Sequence, residues 1–315
     1  MRIGYFLSCE EYGVQDLLEQ AVLAQRAGFE ALWISDHYHP WTDEQGESAF
    51  VWSVIGALSQ AVDLPVATAV TCPTTRLGPA IVAQAAATAQ VMLRGRFRLG
   101  VGTGEALNEH IHGQAWPAVD ERLDMLEEAV AVMRELWTGE PVEHRGPHYT
   151  VDRARIYTRW PTAPEVYVSS FGPTSAHRTV AFADGLTTTS IDDEVLPVFR
   201  DAAKPLTAGY KVGWAPTEEE GVDHAHRLWA SSGLPGELAQ VLPTPAHIEQ
   251  ASSLVSREAT RESAVCGPDV DRHVQQVTRW RDAGFDEVYV ANMGPHFRDM
   301  IRAYGDEVLP RVRAA

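Results

Sequence analysis

Residues 35–41 read SDHYHPW, directly after the apolar run EALWI, and place two histidines and an aspartate within a few positions. An imidazole takes up and gives back a proton near neutral pH, and a carboxylate beside it can orient it or hold a cofactor. Asp36 and His37 are therefore a candidate acid–base pair, the bland alternative being a polar cluster at the end of a strand. The His37-x-His39 spacing also suits two metal ligands, as in metal-dependent hydrolases, but a metal needs further ligands from later strand ends. Those ends read AVTCP, GTGEA, VSSFG, TTTS and GWAP, and His110 and His112 lie in a segment equally suited to the surface. No metal is expected, and the hydrolase is a remote alternative.

Two further stretches carry chemistry. In LGVGTGEALNE (99–109) the glycines are Gly100, Gly102 and Gly104, with Glu105 where a dinucleotide fingerprint needs its third glycine. Glycines with Thr103 and Glu105 at a strand end suggest backbone lying close to a flat ligand and a carboxyl group aimed at it. In SSFGPTSAHR (169–178) a strand passes through Gly172 and Pro173 into a helix start, where Ser170, Gly172 and Thr174 could hold a phosphodiester; this signal is weak by itself, because many helices begin this way.

These segments have to be brought together by the rest of the chain. Strand-like runs at 2–8, 30–35, 64–70, 95–102, 165–170, 185–190, 209–215 and 286–292 alternate with amphipathic stretches, which predicts a (β/α)8 barrel in one domain over 1–315. The length above the roughly 250 residues typical of that fold falls near 102–118, 139–164 and 229–262, the second holding a small hairpin. In such barrels function sits just after the strands, which is where the three segments fall. A net charge of −17 and the lack of a basic run argue against nucleic acid and anionic membrane as partners. No apolar run is long enough to span a bilayer, and three isolated cysteines suit a reducing compartment, so a soluble cytoplasmic enzyme acting on a small molecule is expected.

Taken together, SDHYHPW, LGVGTGEALNE, PAIVAQAAAT (79–88), AVAVMRELWTGE (129–140) and LPRVR (309–313) resemble the coenzyme F420-dependent oxidoreductases of the luciferase-like superfamily, within it the glucose-6-phosphate dehydrogenase-related group. The resemblance covers nearly the whole chain and is loosest over 205–285. It implies a luciferase-like TIM barrel, coenzyme F420 in preference to FMN, and a homodimer. It implies His37 as catalytic base, Glu105 as the acid working with the reduced deazaflavin, and Trp41 and Glu10 as further active-site residues. It places Asp36, Ala69, Val70, Cys72, Gly102, Thr103, Gly104, Asn108, Ser170, Gly172 and Pro173 on the cofactor, with a cis peptide between Ala69 and Val70. Cys72 stands where the group usually has threonine.

The substrate side departs from the group. Its lysine after the sixth strand is replaced within TTSIDDE by Asp192 and Asp193, an expected lysine near the first strand is Phe6, and another falls near Arg261. Phe6, Thr189, Asp192 and Arg261 are thus the candidate substrate-binding residues, in a pocket expected to lack lysine and to be lined also by Trp52 and Trp214. Like charges repel a phosphate. The expected reaction is hydride transfer between an alcohol or carbonyl carbon and C5 of the deazaflavin, on a substrate other than glucose 6-phosphate. Sugar-6-phosphate oxidation and an FMN-dependent monooxygenase are the alternatives.

Overall fold

The computed structural model describes residues 1–314. Its strands are β1 (Arg2–Leu7), β2 (Leu32–Ile34), β3 (Val66–Thr68), β4 (Phe97–Val101), β5 (Val142–Arg145), β6 (Thr150–Ala154), β7 (Glu165–Ser169), β8 (Gly185–Thr188), β9 (Leu206–Val212) and β10 (Glu287–Asn292). Eight of them close a barrel in the order β1-β10-β9-β8-β7-β4-β3-β2, and β5 and β6 form a separate antiparallel pair. All the barrel pairings are parallel, as expected when helices cross over between successive strands.

Alternation along each strand decides which side chains face the helices and which fill the barrel. On β1, Tyr5 and Leu7 pack outward, the Tyr5 hydroxyl donating to Gln20 on the helix Val14–Ala27 at 2.9 Å. Phe6 points inward and joins Ala31, Trp33, Ala67, Tyr289 and Ala291. Trp33 stacks on Tyr289 with ring centroids 4.4 Å apart, and a Cβ at Gly4 or Gly209 would overlap those rings. Large rings against small residues fill the interior, so the barrel is a packed core and chemistry is confined to an end. The N-terminal end is closed by charge: Arg98 and Arg2 both meet Glu287, which also accepts from the Tyr289 hydroxyl. A cavity of about 100 Å³ there lies at the opposite end from the motif-bearing loops.

Among the helices between the strands are those at 14–27, 79–92 and 119–137, the first ended by Gly28 in the left-handed region and the second begun by Pro79. β3 and β9 stop before the ends of their runs for local reasons. β3 ends at Thr68, just before the Ala69–Val70 bond, which is cis. β9 ends at Val212 because Gly213 turns to pair with Cys266 and the Trp214 amide donates to the Asn292 side chain. The extra length at 139–164 holds the β5–β6 hairpin, and that at 229–262 holds the short helices Leu238–Val241, Pro245–Ser252 and Arg257–Ser263, the latter two capped by Thr244 and Ser256. Among the described residues, no helix is long and apolar enough to cross a membrane.

Candidate active site

His37 follows β2 on a half-buried loop at the C-terminal end of the barrel. Its Nδ1 lies 3.2 Å from the His39 carbonyl oxygen. A carbonyl only accepts, so Nδ1 carries the proton and Nε2 is left with its lone pair. Nε2 lies 3.5 Å from Glu10 Oε1, whose other oxygen accepts from the Ser35 hydroxyl at 2.7 Å. An imidazole with a free acceptor nitrogen beside a fixed, buried carboxylate can receive a proton and be stabilised once charged. Trp41 packs against His37 with centroids 5.0 Å apart. His39 does not share this role: its ring stacks on His110, its Nδ1 lies 2.9 Å from the Leu107 carbonyl, and among the described residues no carboxylate stands beside it as Glu10 does beside His37.

Beneath the loop lies a buried ionic clamp. Arg76 donates to Asp36 Oδ1 at 2.7 Å, the Thr71 hydroxyl donates to Oδ2 at 2.7 Å, and Glu109 accepts from the Arg76 amide at 2.6 Å. The Asp36 side chain is buried with both oxygens engaged by Arg76 and Thr71, so within the protein it fixes the loop. Asn108 is likewise a bridge. Its Oδ1 accepts from the Tyr38 and His39 amides, and its Nδ2 donates to Glu105 at 3.4 Å, tying the histidine loop to the glycine loop.

The glycines have a cause inside the protein as well. A Cβ on Gly100 would lie 2.0 Å from the Thr68 carbonyl oxygen, and one on Gly102 would lie 2.8 Å from Val70 Cγ2. Gly104, with φ +79, sits over Cys72 Sγ. Val70, Cys72 and the glycine loop therefore form one close-packed wall, from which Thr103 and Glu105 emerge half-exposed. Cys72 Sγ lies 2.9 Å from the Thr74 hydroxyl, and burial followed by the nearby Glu109 pushes its thiol well up. Across the mouth, the Ser170 hydroxyl is turned inward to Thr179 at 2.9 Å, whereas a Cβ on Gly172 would meet nothing within 4 Å. The open approach after β7 is thus the backbone at Gly172 and Pro173, while the Ser170 hydroxyl is engaged within the protein.

The substrate-side expectations fare unevenly. Phe6 is 5% exposed within the interior layer. Asp192 Oδ1 accepts from the Glu194 and Val195 amides in the turn before the helix Leu196–Asp201, while Thr189 and Asp193 are exposed. Arg261 is committed to Glu218, Glu219 and Glu258. Trp52 lies under the helices against Phe97, and Trp214 packs on His273 in the main core, so neither lines the mouth. The expectation of a lysine-free pocket is also corrected: Lys211 on β9 lies over the rings of Phe6 and Trp229 at 4.7 and 4.1 Å. Glu11, missed too, accepts from the Trp229 indole and the Gly294 amide, and burial pushes its carboxyl up to about 6. Strand alternation, which puts Lys211 on the face of Gly209, was the available signal for the lysine.

The family model described as luciferase-like monooxygenase matches residues 1–287. An F420-dependent glucose-6-phosphate dehydrogenase of Microbacterium testaceum is 33% identical, with 99% of this chain and 98% of that protein aligned. One from Nakamurella multipartita is 34% identical, over 100% and 97%. The solved structure of an F420-dependent secondary alcohol dehydrogenase in complex with an F420-acetone adduct superposes with a TM-score of 0.92 at 32% identity, covering 99% of both chains.

Proposed function

The chain belongs to the luciferase-like monooxygenase family, and from that premise we propose that it is a coenzyme F420-dependent oxidoreductase acting on an alcohol or carbonyl group. The observation that carries this reading is the pairing of a His37 Nε2 free to accept a proton, backed by Glu10 at 3.5 Å, with the glycine wall that ends at Glu105. The residues present fit the deazaflavin. The wall of Val70, Gly102 and Gly104 gives a close-packed surface, and Gly172 leaves open space that no protein atom requires. Gly102, Thr103, Gly104, Val70 and Cys72 would hold the ring system, and the amides of Gly172 and Thr174, on either side of Pro173, the phosphodiester.

When bound, the coenzyme supplies a two-electron acceptor or donor that exchanges a hydride at C5. The chain's own residues handle protons and position. His37 Nε2 takes the substrate hydroxyl proton, and Glu10 stabilises the resulting imidazolium across 3.5 Å. Glu105, held by Asn108, serves as the acid on the opposite wall. In carbonyl reduction both proton movements reverse.

The substrate we assign is uncharged rather than glucose 6-phosphate. Support comes from Asp192 and Asp193 in the segment after β8, from Arg261 being engaged by three carboxylates, and from the alcohol dehydrogenase likeness. The relatives named as glucose-6-phosphate dehydrogenases keep the sugar phosphate as the second reading. A cytoplasmic homodimer accompanies the proposal through family resemblance, with three buried free cysteines suiting a reducing compartment; light scattering reads the dimer. The test of the reaction is His37→Ala with propan-2-ol and F420, followed at the deazaflavin absorbance band. Turnover should fall roughly 10²–10⁴-fold with F420 affinity kept, and unchanged turnover removes His37 from the mechanism.

A further inference from the structure

Of the 26 cationic side chains in the sequence, only Lys204 and Lys211 are lysines. Lys204 is explained by the fold, because its ammonium donates to the Val180 and Ala183 carbonyls where it ties the turn before β8 to the start of β9. Lys211 has no such explanation. It lies in the last inward-facing position of β9, opposite Ala291 in register and two residues beyond Gly209, whose missing side chain makes room for Trp33 and Phe6. Its ammonium is sandwiched between the faces of Phe6 and Trp229. Among the described residues it makes no ion pair and no hydrogen bond, although an ammonium has three donors to satisfy.

The surroundings limit what can complete it. The Glu11 oxygens are already engaged by the Trp229 indole and the Gly294 amide, and those of Glu10 face Ser35 and His37. Burial holds the Lys211 ammonium below its ordinary value, and the charges of Glu10 and Glu11 offset part of that. Lys211 is linked to His37 through the field of Glu11 and Glu10 on one side and, on the other, through Trp229 and the cluster against which Trp41 packs. The residue is half-buried at the C-terminal end of β9.

We propose that Lys211 is the substrate-oxygen anchor of this site, donating a hydrogen bond to a hydroxyl or carbonyl oxygen of an uncharged substrate while His37 handles the proton. Glu10 and Glu11 already balance the ammonium, so the subsite favours a neutral acceptor oxygen over a carboxylate or phosphate. The proposal rests on the oxidoreductase reading above and deepens it by naming the residue that recognises the substrate.

The test reads Lys211 directly. With lysine labelled at Cε with carbon-13, the protein shows two side-chain signals, and Lys211→Met identifies the one that disappears. In the F420-loaded protein, titration with propan-2-ol and with acetone should move the Lys211 signal and leave Lys204 still. The same variant should raise KM for propan-2-ol roughly 10- to 100-fold, the loss expected for a hydrogen bond from a charged donor, with kcat and the F420 dissociation constant within about threefold. A merely structural lysine would instead lower the melting temperature and F420 affinity together and leave KM unchanged, which overturns the anchor. A Lys211 signal that ignores both probes while F420 binds also overturns it, and one that moves with lactate but with neither neutral probe overturns the uncharged assignment. Failure of the wild type to bind F420 sinks the cofactor reading instead, and is seen before any substrate is added.

Discussion

Arg76→Met isolates what the buried clamp contributes. In the wild type, Arg76 lies 2.7 Å from Asp36 and 3.6 Å from Glu109, with the side chains of all three nearly inaccessible. Methionine fills much of the same volume but leaves two carboxylates buried with no cation. Removing one partner of a buried pair typically costs about 3–5 kcal/mol. With an unfolding entropy of about 2.1 cal/mol/K per residue over this chain, that loss lowers the melting temperature by about 5–8 °C. Burial already pushes the Glu109 carboxyl up, and Arg76 pulls it back. Without Arg76 its folded value rises further above the unfolded one, so protonation favours the native state and stability returns as pH falls. The assay is a series of thermal melts at about pH 8 and about pH 5.5 on wild type, Arg76→Met and Arg76→Met/Glu109→Gln. The variant's deficit should shrink at the lower pH, and the double variant should be more stable than the single one at the higher pH. A deficit under about 2 °C, or one that neither low pH nor Glu109→Gln relieves, refutes the reasoning. Turnover should fall as well, because the clamp holds the loop that carries His37.

Two other outcomes test the proposed chemistry. Glu105→Gln keeps the contact to Asn108 but removes the ionisable proton, so single-turnover hydride transfer should slow by at least roughly tenfold while F420 binding changes less; if only the dissociation constant moves, Glu105 binds and does not act as the acid. Asp193→Lys reverses an exposed charge after β8 and spares the turn held by Asp192. It should raise kcat/KM for glucose 6-phosphate by about two- to tenfold, the modest scale of a solvated charge change, and leave neutral alcohols unaffected. Efficient oxidation of glucose 6-phosphate by the wild type contradicts the assignment of an uncharged substrate.

The barrel was legible because its signals are local and periodic. Short β-branched runs, helices ended by Gly28 or begun by Pro79, and motifs clustered after strands all follow from neighbouring residues. His37 and Glu105 stood out for the same reason. What sequence reasoning misplaced depends on contacts between distant residues. That Arg76, 40 positions away, engages Asp36, and that the Asn108 amide joins two loops, could not be read from the sequence. The aromatic side chains could not be assigned to pocket or core by type alone: Trp52 and Trp214 face the core, and Trp229, passed over, faces Lys211. Lys211 lies inside the strand expected at 209–215, where the alternation that sets it on the face of Gly209 was the one signal.

Parallel fluorescence titrations of the purified protein with coenzyme F420 and with FMN test the central claim most directly. The wall of Val70, Gly102 and Gly104 with the open backbone at Gly172 is assigned here to the deazaflavin, so F420 should bind at least tenfold more tightly than FMN, a difference of about 1.4 kcal/mol. FMN binding tenfold or more tighter than F420 would contradict the assignment and return the chain to the monooxygenase chemistry for which its family is named.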